Sequence, residues 1–459
     1  MKKSSIFVIC CLLTCLLAAC GDDITNYNYY YEVDEDVTDE TSEPETGSGG
    51  LSGRGEDGEA GAGGSGGEQV CPPEDYVSQK KLNIVIDKNT PPSEIVVAGQ
   101  NSWHIYSQYK VTNLTDEDQE IRDAEIAQFD PNGDAADFTE VALALEGKIV
   151  LTGSKVVEIV EQGKLLEEHF FLDNATSNEV IIPAKSSVLV QVWAKLAPVL
   201  PSSAVGGVWH GVPRSGHSNS LGIELIGVKS DPVCVGQGSD DLNHPPSMVT
   251  RKSKPVVTPL PISSNGLLEG VYQELFKFQI GAHEAGAIDL TQFALKWTKT
   301  PGLLIMPDSL GLHKDNVPMK SFDEVWIFDQ DGYLNEIHDP DVTTGTVVFI
   351  FFESIVESGL TFTFRGRPSG AKQGSKITFT FDRVPEDLKP VTARLDHPAS
   401  GPGSTLCKDV NLCYPDLGPD WAGTFLWSDR SEVPHGSTTM DWTNDLYVEN
   451  LNQTQTLTF

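Results

Sequence analysis

The sequence is poor in basic residues: 32 Lys and Arg stand against 66 Asp and Glu, a formal net charge of −34 over 459 residues. A chain with so strong a negative field repels nucleic acid and anionic membrane faces. We therefore expect no nucleic-acid partner. Solubility explains the acidity most simply, and binding of a divalent cation is the alternative.

Motifs that carry chemistry are also lacking. The sequence has no His-Glu-x-x-His zinc motif and no P-loop, and its ten histidines are scattered. The most suggestive pair, His210 and His217, lies in a loop rich in Gly, Ser and Pro, where histidines are usually solvated. We therefore expect no enzymatic activity.

A carbohydrate-active sandwich that uses paired carboxylates is the enzymatic alternative. Such an enzyme needs two Asp or Glu side chains beside a groove lined by tryptophan. The first candidates in the sequence are Asp341, Asp420, Asp429 and Asp441.

A long apolar run is missing too. The N-terminal run, Ile6–Leu17, follows two lysines and spans about 12 residues, whereas a membrane-spanning helix needs roughly 20. The next residues, Leu17-Ala-Ala-Cys20, resemble the lipobox of bacterial lipoproteins. The resemblance implies that residues 1–19 are removed as a signal peptide and that Cys20 carries acyl lipid such as palmitate. The membrane is then a partner through this lipid, and Gly21, rather than Asp, after Cys20 favours the outer membrane.

Cysteine is scarce beyond the signal. Four remain after Cys20, and an even number in an exported chain predicts two disulfides. Three pairings are open, of which we favour Cys407–Cys413 and Cys71–Cys234. The Cys407-x5-Cys413 spacing does not match a zinc finger and has no close pair of histidines beside it, so we expect no metal there.

Residues 20–70 have little to bury. The first half of this segment is acidic and the second half is mostly Gly and Ser, so ordering it would not be offset by apolar burial. We expect a disordered tether here, a first β-sandwich module over 71–235, a linker over 236–253 and a second module over 254–459.

Sequences of helical period are almost missing from the rest of the chain, and Ala135–Glu146 is the best helix candidate. Short runs rich in β-branched and aromatic residues dominate instead, separated by Gly, Pro, Asn and Asp, as in Lys148–Thr152 and Ser187–Trp193. These runs predict an all-β fold of antiparallel sandwiches. A weak repeat supports two modules, because Ala184–Pro198 aligns with Ala371–Pro385 in its alternating apolar positions.

Two acidic segments invite a calcium interpretation. Asp329-Gln-Asp-Gly332 begins like an EF-hand loop, but Tyr333 and Pro340 occupy positions that need Asp or Asn and Glu. A hairpin of Glu324–Phe328 with Tyr333–Ile337 is the simpler prediction. Asp130–Asp134 likewise predicts a turn. With Asp339 and Asp341 nearby, calcium at a module edge remains the one cofactor that we consider.

Several short segments of the second half have a recognisable pattern: Arg251–Pro255, Leu275–Phe278, Ala285-Gly286, Phe425–Asp429, His435 and Asp441–Asn444. On these segments the chain resembles the Ig-like modules of uncharacterised bacterial surface proteins. The likeness is best over 250–459 and fainter over 82–235. The resemblance implies two tandem Ig-like β-sandwiches at a cell surface, and it implies no activity.

The eight tryptophans divide into two groups. Exposed aromatic rings flanked by Asp and Asn are typical of surfaces that recognise sugars or proteins. We assign to the core Trp103, Trp193, Trp297, Trp326 and Trp427. The candidate binding aromatics, which lie near turns, are Trp209, Trp421 and Trp442.

The leading hypothesis is a lipid-anchored, surface-displayed envelope protein that binds a protein or glycan without catalysis. The alternative is a structural scaffold lipoprotein on the periplasmic side.

Overall fold

The computed structural model describes residues 81–161, 164–174, 180–206, 210–228, 231–234, 245–320, 324–329, 337–383, 392–393, 425–436, 439 and 441–459. Every described residue belongs to one compact unit, Gln69–Phe459. The signal peptide, Cys20 and the predicted tether lie outside the described residues. No helix in the described ranges is long and apolar enough to cross a membrane.

The described strands before residue 252 form a ten-stranded antiparallel sheet and a three-stranded sheet, which we call the N-terminal sandwich. Its strands are β1 (Leu82–Ile86), β2 (Ile95–Val97), β3 (His104–Asn113), β4 (Gln119–Gln128), β5 (Phe138–Leu145), β6 (Lys148–Glu161), β7 (Lys164–Asn174), β8 (Val180–Ile182), β9 (Ser187–Leu196), β10 (Ser218–Asn219), β11 (Leu221–Val228), β12 (Asp231–Cys234) and β13 (Met248–Arg251). The large sheet runs β1-β3-β9-β5-β6-β7-β4-β11-β12, with β8 also paired to β4, and the small sheet runs β10-β13-β2.

The large sheet folds back on itself. Strands β3 and β11 are far apart in its order, yet the Ser107 hydroxyl of β3 donates to the carbonyl of Leu221 on β11 at 2.8 Å. Aliphatic side chains from both halves fill the space between, including Val111, Ile126 and Val192, each with no exposed surface. The result is the sandwich that the short strands predict.

The helix expected over Ala135–Glu146 is wrong. Residues Ala135–Asp137 form a single 3-10 turn, which begins where the Asp134 carboxylate accepts a hydrogen bond from the Ala136 amide at 2.8 Å. Strand β5 follows at once and lies between β9 and β6. Its residues 141–144 are all fully buried, so the strand is apolar on both faces and shows no alternation in the sequence.

The predicted linker 236–253 contains a strand. Within it, β13 pairs in parallel with β2 and antiparallel with β10. Ile95 of β2 packs into the core of the residues that follow β13. The bounds expected for the two modules stay predictions.

The strands after residue 254 form the C-terminal sandwich. They are β14 (Pro255–Pro259), β15 (Gln273–Ala282), β16 (Ile288–Lys299), β17 (Leu304–Ile305), β18 (Gly311–Lys314), β19 (Val317–Pro318), β20 (Trp326–Asp329), β21 (Thr344–Ile355), β22 (Leu360–Gly366), β23 (Pro368–Ser369), β24 (Lys376–Phe381), β25 (Thr392–Ala393), β26 (Leu426–Ser428), β27 (Trp442–Thr443) and β28 (Thr454–Thr458). One sheet runs β14-β15-β22-β18-β19. The facing sheet runs β20-β21-β16-β26-β27-β25, with β24 between β16 and β28.

Phenylalanine fills the C-terminal sandwich. Phe278 of β15 lies 5.0 Å from Phe293 of β16 and 4.8 Å from Phe381 of β24, measured between ring centroids. Phe364 of β22 likewise lies 5.1 Å from Phe349 of β21. These edge-to-face contacts join side chains of the two sheets across the core.

The aligned repeat segments occupy strands with the same alternation. Val190 and Val192 of β9 correspond to Ile377 and Phe379 of β24, and all four are fully buried. The turn over Asp130–Asp134 is confirmed by the bond from the Gly133 amide to the Asp130 carbonyl at 2.9 Å.

The hairpin predicted around Asp331-Gly332 falls partly outside the described residues. Within the described part, β20 pairs with β21, where Trp326 is opposite Ile350. Ile337, expected in the second strand of the hairpin, is buried in a turn.

Candidate functional site

Buried charged side chains meet where the N-terminal sandwich joins the C-terminal sandwich. From the first come Arg214 and Ser215, in the loop before β10, and Arg251 at the end of β13. From the second come Asp429 and Glu432, just after β26. We call these five residues the ionic joint.

Glu432 binds two groups of the opposite sandwich. Its Oε1 lies 3.2 Å from Nη2 of Arg214, and the side chains of this pair are 11% and 6% exposed. Its Oε2 accepts a hydrogen bond from the Ser202 amide at 2.8 Å, and its Oε1 accepts one from the Ser202 hydroxyl at 2.5 Å. A short contact also joins the Arg214 guanidinium to the Ser202 hydroxyl. Both carboxylate oxygens are therefore hydrogen-bonded across the joint.

Asp429 forms the second connection between the two sandwiches. Its Oδ2 accepts hydrogen bonds from the Ser215 hydroxyl and, at 2.8 Å, from the Lys252 amide. The Lys252 ammonium donates to the carbonyl of Arg430 at 2.8 Å. Since Asp429 has no exposed surface, these bonds compensate for the loss of its hydration.

Arg251 is the second buried cation of the joint, with 1% of its surface exposed. Burial lowers the pKa of its guanidinium, and the negative charges of Asp429 and Asp441 oppose that change. Its guanidinium carbon lies 5.8 Å from the centroid of the Trp427 ring, within cation–π range.

His435 lies beside the joint, between two carboxylates. Its Nε2 is 2.9 Å from Oδ2 of Asp289, and its Nδ1 is 2.9 Å from Oδ2 of Asp441. Burial of the ring disfavours its charge, but the hydrogen bonds and charges of the two carboxylates outweigh burial and raise the pKa of His435 to about 9. The ring is therefore an imidazolium at neutral pH.

The two carboxylates respond in the opposite sense. Burial acts to raise the pKa of Asp289 and of Asp441, yet bonds from His435 and neighbouring hydroxyls outweigh it and hold both pKa values below the usual range. The neighbouring hydroxyls belong to Ser354, which donates to Asp289 at 2.5 Å, and Thr439, which donates to Asp441 at 2.6 Å. A protonated histidine between two ionised carboxylates is a structural ion cluster, because it has no basic nitrogen to accept a proton.

Two of the four candidate catalytic carboxylates lie in buried ion clusters. Asp429 belongs to the ionic joint and Asp441 to the His435 cluster, and both are fully buried rather than lining a groove. Asp341 is exposed in a loop, and Asp420 lies outside the described residues.

The assignment of one of the three candidate binding aromatics is wrong. Trp442 offers no exposed ring: it is 1% exposed, and its centroid lies 5.3 Å from the His435 ring and 6.0 Å from the Phe352 ring. Its indole nitrogen donates to the carbonyl of Gly436 at 2.9 Å. Trp209 and Trp421 fall outside the described residues, so their role stays a prediction.

Two other assignments from the sequence also change. His217 is buried rather than solvated, with Nδ1 2.9 Å from Oδ2 of Asp137. Trp103 and Trp193, assigned to the core, are half-buried side chains on the outer face of the large sheet. Trp297 and Trp427 are core residues as expected.

The structure describes only one of the four cysteines that are predicted to form disulfides. Cys234 ends β12, whereas Cys71, Cys407 and Cys413 lie outside the described residues, so both disulfides stay predictions. Among the residues that the structure describes, no group of three or more His, Cys, Asp or Glu is placed to hold a metal ion.

Sequence reasoning missed most of the ionic joint. Arg214 and Glu432 carry no local motif, and 218 positions separate them. The usable signals are Arg251–Pro255 and Phe425–Asp429 with His435 and Asp441, on which the resemblance to Ig-like modules rests.

No family model matches the sequence, and no curated protein matches it. Several solved structures are similar. The collagen adhesin from S. aureus shares 7% identity over 65% of this chain and 84% of its own, with a TM-score of 0.14. The full-length RrgB pilus protein from Streptococcus pneumoniae shares 9% over 66% of this chain and 47% of its own, with a TM-score of 0.16. BcpA, the major pilin subunit of Bacillus cereus, shares 10% over 52% of this chain and 64% of its own, with a TM-score of 0.16.

The chain spans about half the length of the pneumococcal pilus protein and about two thirds of the Bacillus pilin. These likenesses assign no residue and no activity to it. Its own strand pairing makes it an all-β protein of antiparallel sandwiches.

Proposed function

We propose that this chain is a non-enzymatic protein of the bacterial cell envelope, anchored by lipid on Cys20 and displayed at the cell surface. There its two sandwiches bind a protein or a glycan. The ionic joint carries the proposal, because it fixes the two sandwiches to each other.

Neighbouring domains of one chain move relative to each other by default unless a large interface holds them. Here Glu432 and Asp429 of the C-terminal sandwich are buried against Arg214 and Ser215 of the N-terminal sandwich. Separating the sandwiches would break these ion-pair and hydrogen-bond contacts between buried groups. Two sandwiches joined in this way suit a protein that presents a surface to a partner.

The chemistry of the cluster supports a role without catalysis. Asp429 and Asp441, two of the candidate catalytic carboxylates, are fully buried and hydrogen-bonded within the protein. His435 is protonated at neutral pH and cannot act as a general base there. These groups bind one another, and the two carboxylates are not accessible to a substrate.

Protease treatment of intact cells tests surface display. Cells expressing the full chain are exposed to protease, and the region beyond residue 71 is followed with antibody, together with a periplasmic control protein. We expect loss of this region while the control protein stays intact. Protection until the outer membrane is breached would contradict surface display and favour the periplasmic scaffold.

Metabolic labelling tests the anchor separately. We expect an alkyne fatty acid to label the wild-type chain and not the Cys20→Ser variant, and the variant to leave the membrane fraction. Equal labelling of both chains would refute lipidation at Cys20.

A further inference from the structure

Two tryptophan rings lie side by side on the outer face of the N-terminal sandwich. Trp193 is in β9, between Val192 and Ala194, whose side chains are fully buried. Side chains alternate along a strand, so Trp193 points outward with Gln191 and Lys195. Trp103, just before β3, has its ring centroid 6.5 Å from that of Trp193, and the two planes are inclined by 57°.

In this position both indole rings are only half-buried. Burying an aromatic ring is favourable, and the core beneath β9 consists of closely packed aliphatic side chains such as Val190 and Ala194. Partly exposed aromatic rings held in a fixed position are a common means of contacting a ligand.

The rings are held by an ion pair. The Lys195 ammonium lies 4.4 Å from the centroid of the Trp103 ring and 2.8 Å from Oε2 of Glu140 on β5. Because each charge has its partner, this part of the face is locally neutral, although the whole chain carries a net charge of −34.

Neutral amides continue the face. The Trp193 indole nitrogen donates to Oε1 of Gln191 at 3.3 Å, and Nε2 of Gln191 donates to Oε1 of Gln108 at 3.0 Å. Gln108 in turn donates to the carbonyl of Asn89 at 2.6 Å. Gln191 is only 7% exposed, so its role is to orient the Trp193 indole and the partly exposed Gln108 amide before any ligand arrives, which reduces the entropy lost on binding.

We propose that this tryptophan face, made of Trp103, Gln108, Glu140, Gln191, Trp193 and Lys195, binds a neutral glycan chain. A sugar ring presents an apolar face of C–H groups to an indole and hydroxyl groups to amides, which is the combination found here. The absence of net charge on the face disfavours acidic and basic ligands. The 57° inclination favours a twisted, soluble chain over a flat crystalline surface, which would need coplanar rings.

This inference rests on the proposed binding function and names its ligand class. The test uses the full lipidated chain in detergent micelles and four neutral hexasaccharides as probes: maltohexaose, xylohexaose, laminarihexaose and cellohexaose. Hexagalacturonate is the charged control. Binding is measured by calorimetry and by tryptophan fluorescence.

We expect at least one neutral hexamer to bind with a dissociation constant below about 1 mM. Trp193→Ala and Trp103→Ala should each weaken binding at least about tenfold, and Trp193→Tyr should restore part of it. Phe459→Ala removes another exposed ring, 47% exposed on the C-terminal sandwich, and should leave affinity unchanged. Thermal melting of each variant confirms that it folds.

Failure of all four neutral hexamers to bind would overturn the inference. So would binding that neither tryptophan substitution weakens, or preference for hexagalacturonate. Surface display is measured on cells by protease treatment, so its outcome does not depend on this one.

Discussion

Arg214 and Glu432 form a buried ion pair between residues 218 positions apart, with Nη2 and Oε1 separated by 3.2 Å. One belongs to the N-terminal sandwich and the other to the C-terminal sandwich. The pair therefore couples the folding of one sandwich to that of the other.

Removing one member of this pair should destabilise the chain. We expect Glu432→Ala to lower the free energy of unfolding by about 3 kcal/mol, because the buried Arg214 guanidinium loses the carboxylate that lies 3.2 Å from it. Guanidinium denaturation followed by tryptophan fluorescence measures the change. The double variant Arg214→Leu with Glu432→Leu should lose less than Glu432→Ala, since it leaves no unpaired charge.

Lys185→Ala is the matched control for the ion pair. The Lys185–Asp116 pair is solvent-exposed, at 59% and 92% of the two side chains, so its loss should change stability by less than about 1 kcal/mol. Equal effects of Glu432→Ala and Lys185→Ala would contradict the importance of the ionic joint.

Stability should fall as the pH rises from 6.5 to 9. The folded pKa of His435, about 9, lies above its ordinary value of 6.5, so the ring's pairing with Asp289 and Asp441 stabilises the folded chain fully below pH 6.5. This contribution is lost as the pH rises through 9. We expect a loss of about 1–2 kcal/mol, since solvent screening weakens the pairing.

The carboxylates act at the other end of the pH range. Their pKa values are held below 3.8, so their contribution is present above that pH and is lost in stronger acid. Denaturation curves at a series of pH values measure both effects. His435→Gln should remove the slope between pH 6.5 and 9, and a slope that persists in this variant would assign it to another group.

Truncating a central ring should create a cavity in the aromatic core of the C-terminal sandwich. Phe278 is fully buried and lies within 5.7 Å of four other phenylalanine rings, measured between centroids. Phe278→Ala should cost about 3–5 kcal/mol through lost burial and a cavity. Phe278→Leu should cost less because it fills part of the space. If Phe459→Ala, at the exposed C-terminus, cost as much as Phe278→Ala, this view of the core would be wrong.

A single added methyl group should disturb the Asp130–Asp134 turn. A Cβ at Gly133 would collide with the side chain of Gln128 and lie 2.5 Å from Oδ1 of Asn219. We expect Gly133→Ala to lower stability by about 3 kcal/mol. At Gly147, whose φ is +78°, a Cβ would meet no atom within 4 Å, so Gly147→Ala should cost only the backbone strain of about 1 kcal/mol. Thermal melts of the two variants, compared side by side, decide between steric and conformational causes.

The sequence predicted well wherever side chains alternate. In β9 the order Val190, Gln191, Val192, Trp193 gave the strand, and the same alternation places Trp193 outside with Gln191. Assigning Trp193 to the core followed the hydrophobicity of the residue instead of its position in the strand.

In β5, where alternation is missing, the prediction failed. Strand β5 is covered on both sides, so Val141 and Ala142 are equally buried and the segment resembles a helix. The ionic joint could not be predicted from the sequence, for another reason. Its pairs depend on how two sandwiches meet, and no local pattern around Arg214 indicates a partner at Glu432.

The pairing of β13 with β2 has a mechanical consequence for a chain held at its N-terminus. The strands run parallel, with the Val249 amide bonded to the Glu94 carbonyl at 2.9 Å and the Ala98 amide bonded to the Arg251 carbonyl at 2.8 Å. Were the proposed lipid anchor to hold the N-terminus while a load acted on the C-terminal sandwich, tension would stretch these bonds in shear, all at once, instead of peeling them apart one after another.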